Sequence, residues 1–280
     1  LKTEKNGVLV VVVADLHVNS KVALCPPEVK CAGGGTYIPS RQVQWIWEEC
    51  WLDVWREVEK RKRKDKVPVL GLFLGDDVDL NQHTHSELIE TNDEEIVAMG
   101  ELALQPARKV CDRLILLRGT EAHVGQLGKL EEALARRVKA DPSPSGTASW
   151  WHWLGEPGGV LIDASHHAQT HGHMPHTRDA AASRQALITW MEYTDSEEKP
   201  PQIVVRGHSH FVGHGFKSGG NHEVECWFLP SWQLTTAFGH RRGSGRKVEP
   251  IRALLLQCQE GRYTHEWLMY RAKPAPIWKM

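Results

Sequence analysis

"GVLVVVVADLH", residues 7–17, decides how this chain is read. Val8 to Ala14 is an unbroken apolar run rich in β-branched residues, and it is too short for a free-standing helix. Without alternation it marks a strand covered on both faces. It then delivers Asp15 and His17 at its carboxyl end. The same form recurs in "KVPVLGLFLGD" (66–76), "DRLILLRG" (112–119), "GGVLIDASH" (158–166) and "PQIVVRGHSH" (201–210). Each is a short apolar run that closes on polar or ionisable residues.

Helical patterns separate the first three runs. In "SRQVQWIWEECWLDVWREVEK" (40–60), Val43, Trp47, Cys50, Trp51, Val54 and Val58 recur at three- and four-residue steps behind a Ser40 N-cap, so this helix carries an aromatic packing face. A second helix is expected over about 86–107. A third presents Leu127, Leu130, Leu134 and Val138 on one side, and a fourth covers "HTRDAAASRQALITWMEY" (176–193). The chain then turns to strands in "HEVECWFLP", "IRALLLQCQ" and "RYTHEWLMYRA". Early βαβ units followed by a β-rich tail predict a layered α/β fold with two sheets, in one domain spanning 1–280. Residues 140–149 and 239–250 read as surface loops.

With Lys plus Arg 34 against Asp plus Glu 35, the net charge is −1, which argues against a generally basic nucleic-acid-binding surface. The run "KRKRKDK" (60–66) reads as the solvated end of a helix. The six cysteines show no C-x-x-C spacing, which fits a reduced, cytoplasmic setting better than a disulfide framework. The apolar run at 8–14 is too short for a signal core or a membrane span, so no membrane association is expected. Nothing in the sequence speaks to oligomeric state.

The ends of the five strands carry the functional signal. They deliver Asp15 and His17, then Asp76 and Asp77, then Thr120 to His123, then His166 and His167, and last His208 and His210. Ligands of open α/β sheets collect at the carboxyl ends of strands, so these groups are expected to converge. Singly, each could be a turn or loop residue. Jointly, carboxylates and imidazoles set beside buried strands call for a counter-charge, which bound divalent cations supply.

The ordered motifs D-x-H (Asp15 to His17), G-D-x-x-D (Gly75 to Asp79), a late single His and G-H-x-H (Gly207 to His210) resemble those of the calcineurin-like metallophosphoesterases, over about residues 15–210. With its Trp-rich first helix and "GTEAHVG", the pattern is similar to versions encoded by bacteriophages and prophages. The resemblance implies a four-layer α-β-β-α sandwich of two mixed sheets flanked by helices. It implies two divalent ions, with Asp15, His17 and His210 at the first, His166 and His208 at the second, and Asp76 bridging. His167 is an alternative to His166, and Asp79 is placed behind the ligands. Imidazole with carboxylate favours Mn, Fe or Zn over Mg. The implied chemistry is hydrolysis of a phosphate ester by a hydroxide activated between the metals, with a histidine protonating the leaving oxygen.

The third motif departs from the family. G-N-H-D/E is replaced by "GTEAH", so Thr120 falls on the Asn position and His123 arrives two residues late. His123 is the candidate proton donor or, alternatively, the missing ligand. Glu121 is a further ligand candidate, and Arg118 and Arg178 are candidate phosphate contacts. The His-rich loop (His171, His173, His176) reads as surface or substrate-facing. The expected substrate is a phosphodiester, a nucleotide or nucleic acid. The alternatives are a phosphomonoester, including a phosphoprotein, or no turnover at all in a binding protein that keeps the fold with a degraded metal site.

Overall fold

A computed structural model of the chain describes residues 7–80, 87–170, 175–236 and 249–272. His171, His173, the expected helix start at Ser86 and the basic stretch 239–247 lie outside these residues.

The chain opens with β1 (Val8–Val13), a small hairpin of β2 (Val29–Lys30) and β3 (Thr36–Tyr37), and a helical stretch made of α1 (Arg41–Trp45), a π-turn segment (Ile46–Trp51) and α2 (Leu52–Asp65). The Ser40 side chain accepts a hydrogen bond from Val43 N, so the expected cap starts this helix. Lys66 ends it in the left-handed conformation, with Lys62, Arg63 and Lys64 in the last turn, where cations complement the helix dipole. There follow β4 (Val69–Phe73), α3 (Asp93–Val110), β5 (Arg113–Leu116), the one-turn α4 (Glu121–Val124) and α5 (Lys129–Arg137). The second half holds β6 (His152–Gly155), β7 (Ile162–Ser165), α6 (Arg178–Asp195), β8 (Ile203–Arg206), β9 (Gly213–Gly219), β10 (His222–Phe228), β11 (Ile251–Gln259) and β12 (Arg262–Tyr270).

Two five-stranded mixed sheets result. One has the order β12-β11-β1-β4-β5, with β1, β4 and β5 parallel, and the other has the order β6-β7-β8-β10-β9, with β7, β8 and β10 parallel. Three buried apolar clusters define the layers. Alternate β1 residues Leu9, Val11 and Val13 pack with Trp51, Trp55, Met99 and Leu134 from the helices outside the first sheet. Val10, Val12 and Ala14 face inward, against Ala164, Val205 and Trp227 of the second sheet. Val204, Cys226 and Phe228 meet Ala182 and Ala186 of α6 on the far side. This is the four-layer α-β-β-α sandwich, and the absence of alternation in β1 follows from burial on both faces.

The aromatic face of 40–60 lies in the first of these clusters, widened by Ile46 and Trp55, and Trp51 N–H donates to Ala103 O. Four strands lacked a sequence signal. The hairpin β2–β3 has only two residues a side, β6 carries "HWLG", and β9 is "GHGFKSG" with three glycines. Leu127, expected on the helix stripe, precedes α5 in an exposed left-handed turn. All six cysteines are free, and among the described residues no helix is long and apolar enough to cross a membrane.

Candidate metal centre

The carboxyl ends of β1, β4 and β5 meet those of β7 and β8 at one mouth of the sandwich. After β1 and β4 the chain does not splay apart. Asp15 N donates to Gly75 O, His17 N to Asp76 O and Val18 N to Asp77 O, at 2.9–3.1 Å. This crosslinking holds the two loops in tight conformations. Gly75, at φ +91°, turns the chain into the second loop, where a Cβ would fall 2.7 Å from Gly119 N.

Backbone strain is concentrated here. Asp15, His17, Asp76, His208 and His210, five of the six expected ligands, have φ between 47° and 63°. Non-glycine residues seldom take up this left-handed region, and such conformations gather at functional sites where surrounding structure enforces them.

The side chains form contiguous groups. Asp15, His17 and His210 offer ligand atoms within 4.8 Å of one another, as do Asp15, Asp76 and His166, and also His166, His167 and His208. His17 Nε2 and His210 Nε2 stand 3.1 Å apart, with Asp15 Oδ1 3.3 Å from His210 Nε2. Two imidazole nitrogens bound to one ion at ~2.1 Å each would be about 3.0–3.4 Å apart at angles near 90–110°. Burial, reinforced by His210, lowers the pKa of His17 to about 4, and burial with His166 does the same for His208, also to about 4. At neutral pH both rings are therefore uncharged, the form that binds metal.

His166 is buried, and its Nδ1 donates to Leu74 O at 2.8 Å. That fixes the tautomer and turns Nε2 inward, where it lies 3.1 Å from Asp76 Oδ2. Burial alone would lower its pKa, but the Asp76 charge and contact raise it to about 10. Asp76 is in turn held well below the carboxylate range by His166, against the opposing effect of burial. The contact lacks hydrogen-bond geometry, and Asp76 Oδ2 is a buried oxygen without a hydrogen-bond partner among the described residues. His17 Nδ1 is a second such atom. A buried carboxylate oxygen left without a donor, as Asp76 Oδ2 is, fits a bound cation, whereas His17 Nδ1 lies on the Asp79 side of its ring, 3.7 Å from Asp79 Oδ2. His167 is exposed beside His166, with its ring centroid 4.7 Å from those of both His166 and His208.

The third loop carries "GTEAH" in place of a G-N-H-D/E motif. Thr120 is the N-cap of α4, yet its hydroxyl caps nothing. Oγ1 instead lies 3.2 Å from His166 Nε2 and 3.1 Å from His208 Nδ1, and its backbone N donates to Asp76 Oδ1 at 2.7 Å. Gly119 lets the loop approach this closely, since a Cβ there would sit 2.0 Å from Asp76 Oδ1. One turn further on, His123 Nδ1 lies 2.9 Å from Asp79 Oδ1, and its ring meets His17 edge-on at 4.7 Å. The late position of the histidine is absorbed by the helical turn. Burial would lower the His123 pKa, but the Asp79 hydrogen bond and the charge of Asp76 raise it above the ordinary value.

Other expected residues are used differently. Glu121 Oε1 accepts from Leu127 N, and Glu121 joins none of the ligand groups found among the described residues. Arg118 is buried, and its donors go to Ser149 Oγ, Leu127 O and Glu132 Oε2, which makes it a brace for the loop and not a phosphate contact. Arg178 pairs with Glu249 and lies over the Phe211 ring.

Glu131 was not singled out by its sequence. Fully buried, it accepts from Asp77 N at 3.0 Å and Gly119 N at 2.5 Å, and so ties the second and third loops together from α5. Its spacing four residues after Leu127 places an acid on an apolar stripe, and that was the available signal. Burial, with repulsion from Asp76, raises its pKa to about 8, and burial with Glu131 raises that of Asp77 well above the carboxylate range.

No family model matches the chain, and no curated protein sequence matches it. Among solved structures it is similar to vacuolar protein sorting 29 from Cryptosporidium parvum, with 12% identity over 95% of this chain and 99% of that one, at a TM-score of 0.35. It is also similar to the sulfate thiohydrolase SoxB of Thermus thermophilus, solved in complex with glycerol. That match has 11% identity over 95% of this chain and 56% of the other, at a TM-score of 0.41. Likeness at this level leaves the functional reading to the residues themselves.

Proposed function

We propose that the chain is a metal-dependent phosphoesterase that hydrolyses a phosphodiester. The observation that carries this reading is the run of strained, left-handed backbone at Asp15, His17, Asp76, His208 and His210, all of which point ionisable side chains at one mouth of the sandwich.

Asp15, His17 and His210 would hold one divalent ion and His166 and His208 another, with Asp76 between them. The imidazole–carboxylate donor set suits Mn, Fe or Zn. Ions bound there would supply Lewis acidity toward the phosphoryl oxygens and lower the pKa of water. The chain's own residues do the rest. Asp79 holds His123 through Nδ1 and favours its protonated form, which leaves Nε2 to hand a proton to the leaving oxygen. Leu74 O fixes the His166 tautomer, and Glu131 with the Asp76–Thr120 hydrogen bond fixes the second and third loops against each other.

A panel of bis-p-nitrophenyl phosphate, p-nitrophenyl phosphate and single-stranded DNA in added Mn tests the reading. Faster turnover of the diester supports it, a monoester preference replaces it with a phosphomonoesterase, and no turnover of any of the three leaves a binding protein.

A further inference from the structure

A tryptophan immediately before β6 stands largely in solvent. Trp151 is 54% exposed, whereas Trp153, two residues on, is buried in the core between the sheets. β6 pairs antiparallel with β7, with His152 opposite Ser165 and Trp153 opposite Ala164. That ladder ends at the His152–Ser165 pair, one residue short of Trp151 and of His166, so the exposed indole precedes the end of β6 that lies beside the carboxyl end of β7.

From the other sheet, Arg118 N donates to Trp150 O at 2.7 Å, and the Arg118 guanidinium lies 4.8 Å from the centroid of the Trp151 ring. That guanidinium is immobilised by Ser149, Leu127 and Glu132. One face of the indole is therefore backed by a fixed cation, and the exposure belongs to the other.

A second feature points the same way. Leu127 is 63% exposed with φ +56°, a conformation unfavourable for leucine. It is held there at both backbone groups, by Glu121 Oε1 on its N–H and by Arg118 on its carbonyl. The chain thus spends two polar side chains of the third loop to keep an apolar residue outward beside the brace that carries Trp151.

We infer that Trp151, backed by Arg118, is a stacking platform for a nucleobase attached to the phosphate at the adjacent centre. This rests on the phosphoesterase reading and narrows its substrate to a nucleotide or a nucleotide unit of a single strand. Stacking on an aromatic face accepts any base and needs no basic groove, which suits a chain of net charge −1.

The test compares equilibrium binding of adenosine 5′-monophosphate and ribose 5-phosphate to the Mn-loaded protein by calorimetry, with bound metal measured in parallel. On the unmodified protein the nucleotide binds about 10-fold tighter or more. Trp151→Leu, which keeps apolar bulk without a planar face, brings the ratio to about one, and Trp151→Phe retains most of it. A ratio near one in the unmodified protein, or an unchanged ratio in Trp151→Leu, overturns the platform. If metal still binds in that case, the phosphoesterase reading stands. If no metal binds, that reading fails first.

Discussion

His123 Nδ1 lies 2.9 Å from Asp79 Oδ1, although the histidine sits two residues later than the family motif places it. A ring committed through Nδ1 to a carboxylate presents Nε2 either to a leaving oxygen or to a metal, and His17, Asp79 and His123 themselves form a candidate ligand group. His123→Ala is expected to lower kcat by about 10²–10⁴ with metal content unchanged. Loss of one metal equivalent in that variant would assign His123 to coordination instead.

The same pair sets a pH dependence. Asp79 raises the His123 pKa, so His123 stays protonated to higher pH than an isolated imidazole. A general acid is lost as pH rises through its pKa, which places it on the basic limb of the rate profile. Asp79→Asn is expected to move that limb to lower pH. A limb that stays in place would separate Asp79 from the proton donor.

Thr120 reports on the second metal. Its hydroxyl stands between His166 and His208, where the family motif has an asparagine. Thr120→Asn is expected to raise second-site occupancy at limiting Mn, and Thr120→Val to lower it, both read by elemental analysis. Gly119→Ala is the steric control: a Cβ 2.0 Å from Asp76 Oδ1 displaces the carboxylate, and turnover falls by about 10²-fold. Equal occupancy in both Thr120 variants would mean the hydroxyl does not contribute.

Without metal, the centre holds protons that an unfolded chain would release. Glu131 has its pKa raised to about 8 and His166 to about 10. Between pH 7 and 8 the native state therefore binds more protons than the unfolded state, and stability falls as pH rises, by about 1.4 kcal/mol per unit for each proton. His17 and His208, held neutral, act only below about pH 6.5, the ordinary histidine value. The Tm of chelated protein is expected to fall by several degrees from pH 7 to 8, and saturating Mn to remove most of that slope. A Tm that rises across this window contradicts the assignment.

The layered fold was legible because β1, β4, β7 and β8 are short buried apolar runs that end on ionisable residues, as Val8 to His17 does. The strands β6 and β9, which escaped notice, are the two edges of the second sheet, and their glycines and mixed polar residues give no apolar run or alternation to read, so each owes its conformation to the neighbouring strand it pairs with. Of the candidate ligands read from the strand ends, Asp15, His17, Asp76, His166, His208 and His210 all come together at one mouth. Arg118, read as a residue behind the ligands or against substrate, has its donors taken by three acceptors that only the fold brings to it. Glu131 was missed because an acid in "KLEEALARR" resembles its solvated neighbours, and only the two backbone N–H groups it receives explain its burial.

The central claim, that this mouth is a two-metal centre, is tested most directly by metal content. Untagged protein dialysed against Mn, Fe or Zn is analysed beside Asp76→Ala. The account expects about two equivalents in the unmodified chain, with loss of at least one in the variant. A chain that retains no metal, or a variant that retains as much as its parent, would contradict it.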